Sequence, residues 1–85
     1  MKKFEYRISD PQGIHARPAG LLAKEAKEFT SRITIAKDGK GVACTRLMAV
    51  MGLGIRCGDT ILITAEGSDE DAAIACISAF LQKNL

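Results

Sequence analysis

The residues of this chain best suited to chemistry gather in one short stretch, Gly13-Ile14-His15-Ala16-Arg17-Pro18-Ala19, which holds the only histidine. A neutral imidazole offers a ring nitrogen that can attack an electrophile, and histidine is among the side chains that form covalent intermediates. Two positions later comes Arg17, whose planar guanidinium stays charged and forks onto carboxylate or phosphate oxygens. A nucleophile beside an anion clamp points to phosphoryl chemistry, with His15 as the group that is phosphorylated. Taken without its neighbours, a histidine in such a place is a capping or surface residue, and the stretch alone leaves both readings open.

The element that must position these side chains begins at once. Ala19, Leu22, Ala23, Ala26 and Phe29 recur at helical spacing and form an apolar stripe, so a helix is expected from Ala16 to about Glu28. Pro18 is tolerated in a first turn, where no backbone N–H is needed for an intrahelical bond. First-turn N–H groups lack intrahelical partners and carry the positive end of the helix dipole. Phosphate is a favoured guest at such an end, and the N–H groups of Ala16 and Arg17 are the ones expected to receive it. Gly13 permits the tight or left-handed turn that would deliver the chain to His15.

The string from Gly13 to Ala19 resembles the active-site signature of the histidine-containing phosphocarrier family, HPr, of the bacterial sugar phosphotransferase system. A second stretch, Leu47-Met48-Ala49-Val50-Met51-Gly52-Leu53-Gly54, resembles the short-helix motif of that family, and the resemblance covers all 85 residues. It implies a carrier that accepts phosphate on His15 from enzyme I, which uses phosphoenolpyruvate, and donates it to the IIA domains of sugar permeases. Arg17 would clamp the phosphate, and Leu47, Met48 and Met51 would form the apolar patch that docks on these partners. Such a protein is a substrate of its partners rather than an enzyme, needs no cofactor, and is expected to be monomeric. Three positions depart from the family pattern. Gln12 and Gly20 stand where hydroxyl residues are frequent. Arg46 occupies the place of the serine that a regulatory kinase phosphorylates in many Gram-positive members, so regulation of that kind is expected to be absent.

With 85 residues the chain has room for one small domain, taken here as residues 1–85. Apolar residues make up 47% and charged residues 26%, the balance of a folded globular domain rather than a disordered one. Twelve Lys and Arg against ten Asp and Glu leave a net charge of +2, and with only one Tyr and three Phe to stack on bases nothing here argues for nucleic acid. Lys2 and Lys3 precede no apolar run, so neither a signal peptide nor membrane insertion is expected, and the cytoplasm is the expected location. Cys44, Cys57 and Cys76 are odd in number and lack a C-x-x-C spacing, which suits reduced thiols packed as small apolar groups. Nor do they share a recognisable zinc-ligand spacing with His15, and no metal is expected.

Around the first helix, Phe4 to Ile8 alternates as a half-buried strand with Phe4, Tyr6 and Ile8 inward. Arg32 to Lys37 alternates again and runs into Asp38-Gly39, a strong signal of a tight hairpin, with Lys40 to Cys44 as a short edge strand behind it. Leu47 to Leu53 is a helix of one or two turns, too rich in large apolar residues to bury them all. Thr60 to Glu66 is the strongest strand and belongs at the sheet centre. Ser68, with Asp71 three residues on, matches the start of a last helix that runs to about Lys83. The order βαββαβα predicts an α+β open-faced sandwich, a four-stranded antiparallel sheet covered on one face by three helices. Two other functions remain: an enzyme using His15 as general acid or base, which would need a concave pocket, and a regulatory or interaction module of the same fold not used in sugar transport.

Overall fold

The computed structural model describes residues 1–85, and its elements follow in the order β1 (Lys2–Arg7), α1 (Ala16–Ala26), β2 (Arg32–Lys37), β3 (Lys40–Ala43), α2 (Leu47–Gly52), β4 (Thr60–Glu66) and α3 (Glu70–Asn84). The strands form one antiparallel sheet in the spatial order β1-β4-β2-β3, with the three helices on one face. Alternation explains the arrangement. In β4, Ile61, Ile63 and Ala65 turn inward and are fully buried, while Leu62 and Thr64 between them are only half covered on the open face. The registers place Phe4, Ile63 and Ile35 in one cross-sheet row and Tyr6 opposite Ile61, so neighbouring strands present apolar groups to the same layer. Leu22 and Ala19 from α1, Val50 from α2, and Ile77 and Leu81 from α3 close that layer from above. Each fully buried isoleucine or leucine contributes about 1.5–3 kcal/mol, which makes this row the main support of the sheet.

β4 is central and β3 is an edge, as the sequence pattern predicts. The turn between β2 and β3 has Asp38 at φ 52° and Gly39 at φ 80°, two consecutive left-handed residues that match the twist of the hairpin. Boundaries differ by a residue or two. Ile8 lies just beyond β1, yet its side chain is in the core and its N–H donates to Asp59 O at 2.9 Å. α1 stops at Ala26 rather than Glu28 because the next N–H groups, of Glu28 and Phe29, bond three residues back to Glu25 and Ala26, tightening the last turn.

Two expectations fail. Cys57 is exposed, so it is not a packing residue. The segment around it is a turn at the molecular surface, whereas Cys44 is buried and Cys76 partly so, and all three thiols are free. Burial pushes the Cys44 thiol up to about 12. The start of α3 is also different, because the residue preceding the helix is Asp69 and not Ser68. The Asp69 carboxylate does not cap its own helix. It accepts the N–H groups of Thr30 and Ser31 at 2.9 and 2.8 Å and the Ser31 hydroxyl, fastening the α1–β2 loop. Ser68 instead pairs its hydroxyl with that of Thr30 at 3.2 Å, and Glu70 reaches back to the Gly67 N–H at 3.2 Å.

The Ser31 hydroxyl, and then the backbone N–H of Thr30, hold the Asp69 carboxyl down from 3.8 to about 2. The folded state therefore binds this proton more weakly than the unfolded chain does. The resulting stabilisation is complete above about pH 4 and is lost as pH falls toward 2. Asp69→Ala should lower the unfolding midpoint in urea at pH 7 and flatten the loss of stability between those pH values. Parallel acid profiles for the variant and the parent would refute this role.

Candidate functional site

The approach to His15 is set by backbone. Asp10 Oδ1 accepts the Gln12 N–H at 2.8 Å, and Asp10 O accepts the Gly13 N–H at 2.9 Å, closing a turn. Gly13 then adopts φ +65°, and a Cβ there would sit 2.6 Å from Arg56 Cα and overlap the Ile55 carbonyl oxygen. Only glycine satisfies both conditions. The next N–H, from Ile14, donates to Ile55 O at 3.1 Å, and the Ile14 side chain enters the core. The chain thus leaves the α2–β4 loop in a fixed direction and reaches His15 extended, at φ −119° and ψ −175°.

His15 is the residue that precedes α1. Its carbonyl accepts the Ala19 N–H at 3.0 Å, but its side chain makes no capping bond, so the imidazole is not used to finish the helix. The N–H groups of Ala16 and Arg17 donate to nothing within the chain, and Pro18, buried against the core, has none to donate. Ala16 and Arg17 are exposed and His15 half-buried. The helix tip therefore presents two free N–H groups, a free guanidinium and an uncapped imidazole side by side.

The loop beneath this tip is itself clamped. Asp59 Oδ2 accepts the Arg56 N–H at 2.8 Å and Lys37 Nζ at 2.8 Å, and Lys37 also donates to Gly54 O at 3.0 Å. Lys37 thus spans both ends of the loop on which Gly13 rests. The lysine, followed by the Arg56 N–H, holds the Asp59 carboxyl below the usual carboxylate range.

The far wall comes from the end of α3. Leu85 O accepts the N–H groups of Ser9 and Asp10 at 2.9 and 3.0 Å and the Ser9 hydroxyl at 2.9 Å, drawing the last helical turn beside the turn that precedes His15. Between them lies an open hollow of about 230 Å³. Asp10 and His15, with Arg17, Pro18 and Leu21 of α1, line it together with Lys83 and Asn84 of α3. The sequence left the direction of Asp10 undetermined, and it lines the hollow. Leu21, Lys83 and Asn84 are additions to the sequence-based site. Nowhere in the chain do three or more His, Cys, Asp or Glu side chains converge as a metal site would require.

α2 packs against α1 and β3. Val50 anchors it in the core, while Met48 is 77% exposed and Leu47 and Met51 are 36% exposed each. Arg46, which precedes this short helix, is exposed and makes no side-chain capping bond, and Thr45 beside it is exposed as well.

The family model described as "PTS HPr component phosphorylation site" matches residues 2–83. The chain belongs to the HPr family. It is 48% identical over 85 residues to the phosphocarrier protein HPr of Mycoplasma genitalium, covering 99% of this chain and 97% of that one. It is 46% identical over 82 residues to the HPr-like protein Crh of Halalkalibacterium halodurans, covering 96% and 95% of the two chains. Among solved structures it superposes on a Mycoplasma histidine-containing phosphocarrier protein with a TM-score of 0.93 at 43% identity, over 96% of this chain and 93% of that one. HPr membership accounts for the open-faced sandwich and for the βαββαβα order.

Because the seat of His15 depends on the Gly13 backbone, Gly13→Ala should destabilise the fold by about 1–3 kcal/mol and move the His15 ring resonances in NMR spectra. An unchanged denaturation midpoint together with unmoved ring signals would show that the close approach at Ile55 and Arg56 is dispensable.

Proposed function

We propose that this protein is a phosphoryl carrier of the sugar phosphotransferase system, loaded on His15 by phospho-enzyme I and unloaded onto the IIA domains of sugar permeases. The observation that carries the reading is the uncapped His15 imidazole at a helix tip whose Ala16 and Arg17 N–H groups are free. A ring nitrogen supplies the electron pair for a new N–P bond. The free N–H groups, the dipole of α1 and the Arg17 guanidinium then offset the charge of the arriving group. Membership in a phosphocarrier family supports the same reading.

The protein acts as a substrate of two larger partners rather than as an enzyme. The hollow at His15, of about 230 Å³, is small for a small-molecule site and falls below the range of about 300–1,000 Å³ usual for one. Leu47, Met48 and Met51 serve as the apolar docking patch, with the adaptable methionines meeting differently shaped partners. The carrier works as a monomer in the cytoplasm, where thiols such as Cys57 stay reduced; no helix is long and apolar enough to cross a membrane. The Crh relative favours a second reading, a regulatory module of the same fold. At Arg46 this chain offers such a module no hydroxyl to modify.

Incubation with enzyme I and labelled phosphoenolpyruvate should place one acid-labile, base-stable phosphate on the protein, and His15→Ala should abolish it. Label persisting on the His15→Ala variant, or none on the parent, would overturn the carrier reading. Leu47→Asp should weaken binding to enzyme I by about tenfold or more, as loss of a central apolar contact does, while leaving the fold intact. Equal affinity by titration calorimetry would remove Leu47 from the docking surface.

A further inference from the structure

Lys83 shares the hollow with His15 and Arg17 although it stands at the opposite end of the chain, in the last turn of α3. A lysine there also complements the dipole of its own helix, a role that needs no hollow and no partner. The charge balance of the hollow asks for more. Its ionisable members are Asp10, His15, Arg17 and Lys83. The ion pairs of the chain join Met1 to Glu70, Lys2 to Asp71 and Lys37 to Asp59, so neither Arg17 nor Lys83 is neutralised by a carboxylate at close range. Among these lining side chains, with a neutral imidazole, Arg17 and Asp10 cancel, and Lys83 is the charge that leaves them net positive. A phosphoryl group brings about −1.5 to −2, which Arg17 and the half-charge of a helix tip do not match once Asp10 is counted. Lys83 lines the hollow from α3 while Arg17 lines it from α1, and its long flexible stem can swing the ammonium to the oxygens that the Arg17 fork leaves uncovered.

We propose that Lys83 is the second cation of the phosphoryl site, gripping the phosphoryl group from the α3 side while Arg17 and the free N–H groups hold it from the α1 side. The proposal rests on His15 being the acceptor. In the loading step, a lone pair of the His15 ring forms the N–P bond as the donor's bond to phosphorus breaks and its electron pair returns to the donor. In the unloading step the acceptor's nucleophile forms the new bond and the pair returns to His15. Lys83 gains and loses no proton in either step, and its contribution is the attraction between its ammonium and the equatorial oxygens.

The test compares the parent protein with Lys83→Gln, Lys83→Arg and Lys83→Glu in loading from enzyme I and labelled phosphoenolpyruvate, together with ³¹P NMR titration of each loaded carrier. Lys83 is exposed, so all three variants should fold, with Lys83→Arg melting with the parent and Lys83→Gln and Lys83→Glu slightly below it through the lost dipole contact. Lys83→Gln should lower kcat/KM for loading by about tenfold, the scale of one exposed charge-assisted contact. Lys83→Glu should lower it further, and Lys83→Arg should restore most of the rate. Removing the ammonium should also raise the pH at which the bound phosphoryl group takes up a proton, a change that a merely structural lysine would not cause. If the parent loads on His15 while Lys83→Gln and Lys83→Glu load equally fast with unmoved titrations, the Lys83 proposal is wrong and the carrier reading survives. A slowed Lys83→Gln variant with an unmoved ³¹P titration would place Lys83 on the partner interface and likewise overturn it. If the parent itself takes no phosphate on His15, both fall together.

Discussion

The close approach of the Gly13 backbone to Ile55 and Arg56 is the constraint from which the rest of the site follows. A side chain at residue 13 would meet Arg56 Cα at 2.6 Å, so the segment lies flat against the α2–β4 loop and Ile14 N–H finds the Ile55 carbonyl. That bond aims the chain. It makes His15 the residue outside α1 and leaves the next two N–H groups pointing outward without partners. Lys37 and Asp59 stiffen the loop from the other side, so His15 stands on a braced backbone rather than on a free turn.

The electrostatics of the tip depend on what is missing from α1. A typical helix start recruits a Ser, Thr, Asp or Asn oxygen to satisfy its first N–H groups, and the first turn of α1 holds no acidic residue. Here the position belongs to an imidazole that makes no capping bond, and Pro18 removes one donor from the turn. The helix gives up roughly 1 kcal/mol of capping energy and keeps its first N–H groups free. Asp10 sits close enough to line the hollow, and its carboxylate is partly occupied by the Gln12 N–H.

Much of this was legible because it is local. The alternation of β4, the Asp38-Gly39 hairpin, the apolar stripe of α1 and the position of Pro18 all depend on residues within a few places of one another. The signature around His15 likewise carries the imidazole, the guanidinium and the turn glycine in seven consecutive residues. The misreadings and omissions share one cause. Ser68 looked like the residue before α3, but Asp69 took that place and turned its carboxylate to Thr30 and Ser31, a demand made by a loop far away in sequence. Cys57 sits in the Arg56-Cys57-Gly58-Asp59 turn, and its thiol is exposed because that turn lies at the surface. Lys83 and Asn84 reach the hollow only because Ser9 and Asp10 bond to Leu85. No periodicity encodes such meetings.

Those same long-range bonds decide when in its life the chain possesses a site. The floor under His15 is Ile55 and Arg56, the far wall is the end of α3, and β1 finds its sheet partner only in β4. A chain still being synthesised, or one opened at its last strand and helix, carries the histidine and the arginine but neither the floor nor the wall. Contacts of such sequence separation need nearly the whole chain, so the free N–H groups beside His15 acquire their floor and wall only with the complete fold. Any ligand of that tip would therefore bind only the finished molecule and would in turn stabilise the whole fold by mass action.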